Sequence, residues 1–463
     1  ATGAAGILAV EINTATDGAT PFVVVDGTLS FASGADLSLI LTQFVGVAGN
    51  YLIAEAGTIT IADGIGALTE NNAPWIYDAT FTLNDGATDS ITATIDLKTA
   101  NQLGLNAQQA LLYDAVLEIM SEDGNVLDDL LAPIETQEEF LAAFDTLLPD
   151  TSLGSIRSTL ATTEARADAL SRRNTVGEVR RRNRRNDSGA WTQYFGGMVT
   201  IDETAEGQGI DGQIAGQIFG FDMELFEHAP VGLFLAASGT EFDNPAVGGE
   251  GLNTTNVSAG AYATVAVGPV FAQVMAGYGY TTFTGTRVIA TPTGTAELES
   301  EWSGTQFDTE LRLGAEIMIG DVRIVPIIGY SYVSISEDGR RESGGGIGYD
   351  LVYVPLDADV SSAFAEVTVS YDAKLRNSLI FRPELWGGVR EIIDGADQEV
   401  VAQFSGGTEL FVLNTSPLPE SQTVAGMSLG LYGHEATLRA GYEYQTGDIA
   451  EHHIGTLNVV FKF

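Results

Sequence analysis

From Trp191 to Phe463 the chain alternates apolar and polar residues with a period of two. Twelve segments carry the pattern, near 191–201, 212–226, 230–242, 253–267, 269–284, 304–319, 321–336, 360–374, 377–391, 421–432, 434–447 and 452–463. Each is a predicted β-strand with two unlike faces. In 307–317, Phe307, Leu311, Leu313 and Ile317 share one face, and Asp308, Glu310, Arg312 and Glu316 share the other. In 437–445, Leu438, Ala440, Tyr442 and Tyr444 oppose Thr437, Arg439, Glu443 and Gln445. The connections alternate in kind. Short turns fall at 227–230, 268–269, 320–321, 375–377 and Gly433, and long polar loops at 202–211, 243–252, 285–303, 337–359 and 392–420. Tight turns at one end and long loops at the other fit a transmembrane β-barrel. A soluble barrel would turn its apolar face inward. The opposite face here carries more successive charges than a closed apolar core can satisfy, so the apolar face points to lipid. Aromatics near strand ends (Trp191, Phe226, Tyr278, Tyr280, Phe463) suit interfacial girdles.

Residues 1–130 follow a different rhythm. Short apolar runs such as "PFVVVDGTLSF" and "GNYLIAEAGTITI" recur about every ten residues between Gly, Asp and Asn. Near-continuous runs at that spacing predict the stacked coils of a β-solenoid-like segment, with a sandwich as the other arrangement of similar spacing. The uncharged stretch Leu37–Ala54 is long enough for a membrane helix but reads as β because its apolar residues come in short runs. From about Asp123 the period becomes helical, with Phe140, Leu141, Phe144 and Leu147 on one stripe. Ala, Glu, Arg and Leu dominate 156–173 and predict a helix too polar for lipid. The chain therefore divides into a solenoid-like segment (1–130), a helical linker and pore-threading helix (131–187) and a barrel (188–463). The predicted class is all-β, built on a twelve-stranded antiparallel transmembrane barrel.

Charge sharpens this picture. The 463 residues contain 21 Lys and Arg against 62 Asp and Glu. That balance excludes a nucleic-acid partner, since phosphate binding rests on basic side chains. Residues 1–150 hold 22 acids and one base, Lys98, whereas 151–187 hold nine arginines and four acids. With an even strand count both barrel ends lie on the short-turn side, and an N-terminal region outside the cell must connect through the pore. The arginines Arg157, Arg166, Arg172, Arg173 and Arg180 would then meet an inward wall bearing Glu310, Arg312, Glu316, Glu366, Glu384 and Glu443. In a lumen of reduced dielectric such pairs hold the helix in place. A solvated basic tether is the alternative for 181–186. The last strand, with Leu457, Val459, Phe461 and Phe463 toward lipid, would pair with the strand at Trp191 and leave no free edge.

Several stretches resemble the autotransporters of type V secretion. "GNYLIAEAGTI" (49–59) resembles the end of their passenger, "AWTQYFGG" (190–197) their first barrel strand, "GQIFGFDMEL" (216–225) their second, and "GYEYQTGDIAEHHIGTLNVVFKF" (441–463) their closing hairpin. The resemblance spans the chain and is strongest over 190–463. It implies an outer-membrane translocator in contact with outer-membrane lipid that displays its N-terminal region at the cell surface. It also implies insertion by the barrel-assembly machinery, with the last strand as the signal. Family members cut within the pore use paired asparagines. Asn174, Asn183 and Asn186 stand apart, so the displayed region is expected to stay attached. A surface adhesin that uses the barrel only as an anchor, and a porin-like channel with a helical plug, are the alternatives.

No enzyme, cofactor or metal site is expected. There is no Cys and there are four His, none within 1–130. "GMSLG" (426–430) places Ser428 in an alternating strand, where a nucleophile elbow would need a strand-to-helix turn. "GQGIDG" (207–212) lies in a predicted loop, and the adjacent residues of "EHH" (451–453) point to both faces.

Overall fold

The computed structural model describes residues 6–13, 15–41, 48–68, 70–71, 73–121, 126–173, 189–204, 207–226, 229–244, 251–375 and 379–462. The N-terminal third begins with strands β1 (Ile7–Ile12), β2 (Val23–Phe31), β3 (Asp36–Leu41), β4 (Gly49–Ile61), β5 (Glu70–Asn71), β6 (Tyr77–Asn84) and β7 (Asp89–Leu97). β1, β3 and β5 pair in parallel, as do β2 and β4. β4, β7 and β6 continue the second sheet antiparallel. Leu37–Ala54 is thus strand at both ends, not helix, and its central residues 42–47 lie outside the described residues.

Helices follow: α1 (Ala100–Leu103), α2 (Ala107–Met120), α3 (Leu127–Leu131) and α4 (Gln137–Asp145). They begin well before Asp123, inside the stretch expected to be strands. Asn106 shows why. Its side chain accepts from the Gln109 amide while the Gln109 side chain accepts from the Asn106 amide. This reciprocal cap satisfies two donors that a helix start leaves free. Leu112, Val116 and Ile119 then fall on one buried face at helical spacing.

The closed barrel begins with β8 (Gly189–Ile201), β9 (Ile210–Phe226), β10 (Ala229–Asp243), β11 (Gly251–Val267), β12 (Val270–Thr291) and β13 (Gly294–Ala315). β14 (Ile317–Ile319) continues β13, and β15 (Val322–Glu337) follows. Beyond β16 (Arg340–Ser343) and β17 (Leu351–Tyr353), β18 (Leu356–Tyr371) returns to the barrel with its extension β19 (Ala373–Lys374). β20 (Ile380–Asp394) precedes β21 (Glu399–Phe404) and β22 (Phe411–Asn414). β23 (Ser421–Tyr432), β24 (Ala436–Gly447) and β25 (Ala450–Lys462) complete it. With β14 and β19 counted as extensions, the wall has the twelve antiparallel strands that the alternation predicts. β25 pairs with β8 from Ala450–Ile201 to Lys462–Gly189, so no edge stays open.

The wall faces are sorted as expected. Leu233, Leu235, Val274, Phe307, Leu311, Leu385, Leu429, Leu438, Leu457 and Phe461 are exposed, while Gln193, Asp308, Glu310, Arg312, Arg390, Gln445 and Asn458 are buried inside. Val459 is half-buried. Trp191 is a correction: it points inward, and its indole N–H donates to the Tyr262 hydroxyl at 2.9 Å. Tyr262 in turn donates to Asp222. Trp191 lies over its cross-strand partner Gly220, where an added Cβ would come within 2.1 Å of the ring. The stretch 285–303 is a second correction. It is not a loop but the upper part of the β12–β13 hairpin, paired to its tip at Thr291–Gly294. About 9–11 tilted residues cross a bilayer, so roughly half of each strand stands above it.

Above the wall, β16, β17, β21 and β22 pair into a small sheet built from the two longest loops. This sheet, the hairpin tip and α2–α4 share one apolar core. It contains Val116, Ile119, Phe140 and Phe144 from the helices, Ile289 and Leu298 from the hairpin, and Leu351, Phe404, Phe411 and Leu413 from the loops.

Candidate functional site: the helix in the barrel lumen

At Leu153 the chain turns into the barrel. Its φ of 58° is rare for a residue with a branched side chain. Packing holds it: Leu153 is buried with Ile156, Val333, Val360 and Leu418 at the wide-loop end of the wall. Helix α5 (Gly154–Arg173) then runs down the lumen. Twenty residues span about 30 Å, which matches the hydrocarbon thickness of about 30 Å. The start of α5 lies beside Leu252 and Phe242, at the long-loop ends of β11 and β10. Its last turn lies beside Gln273, three residues from the short-turn end of β12. The helix therefore enters from the side that carries residues 1–148 and ends near the side where β8 begins.

Along α5, Ala161, Ala165, Ala169 and Leu170 lie in one core with Phe195, Val199, Ile214, Ile218, Phe234 and Met275. This sector of the lumen is apolar, which the sequence does not signal because β8 and β9 carry apolar residues on both faces. Polar contacts lie among these apolar ones. Ser158 bonds the hydroxyls of Thr240 and Thr254 at 2.7 and 2.9 Å, and Gln306 donates to Thr163 at 3.1 Å.

Charged pairs fix the register. Arg166 meets Asp308 at 2.5 Å, with side chains 3% and 1% exposed. Arg172 forms a fork on Glu366 at 2.9 and 2.8 Å and reaches Glu443 at 2.8 Å. Its guanidinium also lies 4.0 Å from the Trp386 ring centre. Two pairs run the opposite way, from wall arginines to helix acids: Arg312 to Asp168 at 2.5 Å and Arg390 to Glu164 at 2.8 Å. A bidentate guanidinium on a carboxylate sets direction as well as energy.

The expected site residues thus separate. Arg166, Arg172, Arg312, Glu366 and Glu443 come together across the helix–wall boundary. Glu310, Glu316 and Glu384 face inward but serve wall arginines instead: Glu310 pairs with Arg312 at 2.5 Å, Glu316 with Arg323 at 3.6 Å and Glu384 with Arg439 at 2.6 Å. Among the described residues Arg157 forms no ion pair. It donates to the carbonyls of Ser152, Ser416 and Pro417 at 2.7, 3.1 and 2.7 Å, tying the helix start to the β22–β23 connection. Ser428 accepts from Arg439 and donates to Glu384, both at 2.9 Å, so it belongs to the wall network. Arg180, Phe463 and the side chain of Arg173 lie outside the described residues. Sequence reasoning missed Arg390, Glu164 and Asp168. Their signal was available, since the predicted helix carries acids on turns that alternate with its arginines.

Among the described residues, a cavity of about 80 Å³ borders the start of α5 at Gly154 and Ser155, and cavities of about 40, 20, 30 and 40 Å³ border it further down. A water occupies about 10–15 Å³ on this measure, so the cavities further down the helix hold a few waters each.

A closed twelve-stranded barrel with an apolar exterior and a lumen threaded by one helix is an outer-membrane β-barrel. The autotransporter β-domain family model matches residues 190–444, and the chain belongs to that family. The fold is similar to the translocator domain of the autotransporter NalP from Neisseria meningitidis, with a TM-score of 0.50 at 16% identity over 65% of this chain and 98% of that one. The β-domain of the Bordetella autotransporter BrkA scores 0.45 at 15% identity over 60% and 100%. The transport unit of AIDA-I from Escherichia coli scores 0.39 at 12% over 59% and 90%. No curated protein matches the chain. The protein is an outer-membrane translocator.

Proposed function

We propose that this translocator carries its own N-terminal region, residues 1–148, to the cell surface and holds it there through α5. The observation that supports this is the path of the chain. α5 links a helical and β-rich region above the long loops to a barrel that starts at the short-turn end. The parallel pairing of β1, β3 and β5 and of β2 and β4 is the pairing that stacked coils use, which favours a β-solenoid passenger end for residues 1–98. The exposed band of Leu, Val, Phe and Tyr suits outer-membrane lipid as the partner of the wall. The barrel-assembly machinery would act on β25, whose backbone closes the ring. The isolated asparagines after α5 favour a chain that remains covalently joined. An antibody raised against residues 1–98 is expected to bind intact cells; binding only after permeabilisation would contradict display.

A further inference from the structure

The barrel's upper loops carry more apolar surface than a connection needs. β16, β17, β21 and β22 have 4, 3, 6 and 4 residues. Their sheet joins the wall through one short contact, Glu299–Ser343 and Ser300–Glu342 against β13. Small isolated sheets need an apolar face covered before they are stable. Leu351, Tyr353, Phe404, Phe411 and Leu413 are nevertheless all buried. The helices cover them. α2, α3 and α4 have 14, 5 and 9 residues, lengths at which isolated helices are marginal in water. Each partner completes the core of the other.

Polar joints at the rim fix how they meet. The Glu118 carboxylate accepts from the Thr408 amide and hydroxyl at 3.0 and 2.6 Å and from the Glu409 amide at 2.8 Å. Gln108 donates to the Asn414 carbonyl at 2.7 Å. Arg287, on the β12–β13 hairpin, donates to the Thr146 carbonyl behind α4 at 2.9 Å while its other nitrogens hold Glu342 and the Tyr349 carbonyl. Glycines allow the close approach. A Cβ on Gly407 would stand 2.9 Å from Ile119 and Glu118, and Gly348 (φ 97°) would place one 2.9 Å from Ile119.

We propose that these loops and the hairpin tip are a folding template for residues 100–148. This rests on the reading that the N-terminal region crosses through the barrel. The lumen accommodates one helix of about 10–12 Å diameter, so a bundle of packed helices cannot pass through it. Residues 100–148 therefore reach the mouth unfolded, fold on the loop sheet, and once folded are too wide to return. The template acts as a latch as well as a scaffold.

The test uses the full chain with Phe411→Asp, Leu298→Asp or Gly407→Trp, and Leu111→Asp on the exposed face of α2 as control. Intact cells are treated with protease and cleavage within 100–148 is timed, while heat-modifiable migration reports barrel integrity. The three variants are expected to keep the barrel and to lose the protease resistance of residues 100–148 by roughly tenfold or more, because cleavage of a segment that opens transiently follows its open population. The control should match the parent. If Leu298→Asp blocks barrel assembly, Gly407→Trp, which leaves the wall untouched, decides. Parent-like resistance in barrel-competent variants would overturn the template. A parent whose residues 1–98 are unreachable on intact cells would overturn the display reading first, and the template with it.

Discussion

Deletion of residues 154–173 is expected to turn a blocked barrel into an open pore. In planar bilayers the deleted protein should show long-lived openings that the parent lacks. α5 packs against apolar and charged wall residues, and the cavities beside its middle and end hold only a few waters each. The deletion does not sever the display region. Fifteen residues, 174–188, still join Leu153 to Gly189, and fully extended they reach about 50 Å, more than the membrane thickness. An unchanged conductance would mean that the loops or residues 100–148, not the helix, close the pore. It would also separate a translocator with a plug from a barrel whose seal lies above the membrane.

Arg172→Ala is expected to destabilise the assembled barrel by about 3–5 kcal/mol, the cost of breaking a buried ion pair from one side. Glu366 and Glu443 would be left facing each other with their cation gone, since Arg172 contacts both. The side chain is 11% exposed, so some water reaches the site and the lower end of that range applies. The readout is the temperature at which the heat-modifiable form converts. Adding Glu443→Gln should recover part of the loss, because it removes one of the two stranded charges. A double-mutant cycle isolates that coupling. Arg157→Ala is expected to act differently. It frees neutral carbonyls rather than carboxylates, so its effect should be smaller and insensitive to Glu443→Gln.

The barrel was legible because period-two alternation survives any tertiary context: one face meets lipid and the other meets the helix. Phe307, Leu311 and Leu313 against Asp308, Glu310 and Arg312 reads the same in the sequence and in the structure. Where both faces are apolar the reading weakens. In β8, Trp191, Phe195 and Val199 turn inward while Tyr194 and Met198 turn outward, and no alternation distinguishes them. That is why Trp191 was expected at the interface and is found bonded inside. The hairpin at 285–303 was hidden for another reason. Above the membrane its outward residues need not be apolar, so the strands continue after the lipid pattern stops. α2 was masked by a preceding run of strands, although the Asn106 cap marks its start.

The site was half legible. Nine arginines within residues 151–187 of an acidic chain pointed to a lumen helix, and Arg172 meets two of the expected glutamates. The reverse pairs, Arg312 with Asp168 and Arg390 with Glu164, follow from the same physics but were obscured by net charge. A net-positive segment still carries acids, and in a narrow lumen each acid needs its own partner. Which wall glutamate pairs with which arginine depends on barrel register. Glu310 and Arg312, two residues apart on one strand, pair with each other before either reaches across.

The chain contains no cysteine, so a single introduced thiol reports its own side of the membrane. Val24 is 66% exposed on β2, and Asp321 lies in the short turn between β14 and β15. With a membrane-impermeant maleimide on intact cells, Val24→Cys should label at once and Asp321→Cys only after the outer membrane is breached. The reverse order, or a Val24→Cys protein that stays dark until lysis, would contradict a barrel that holds its N-terminal region at the cell surface.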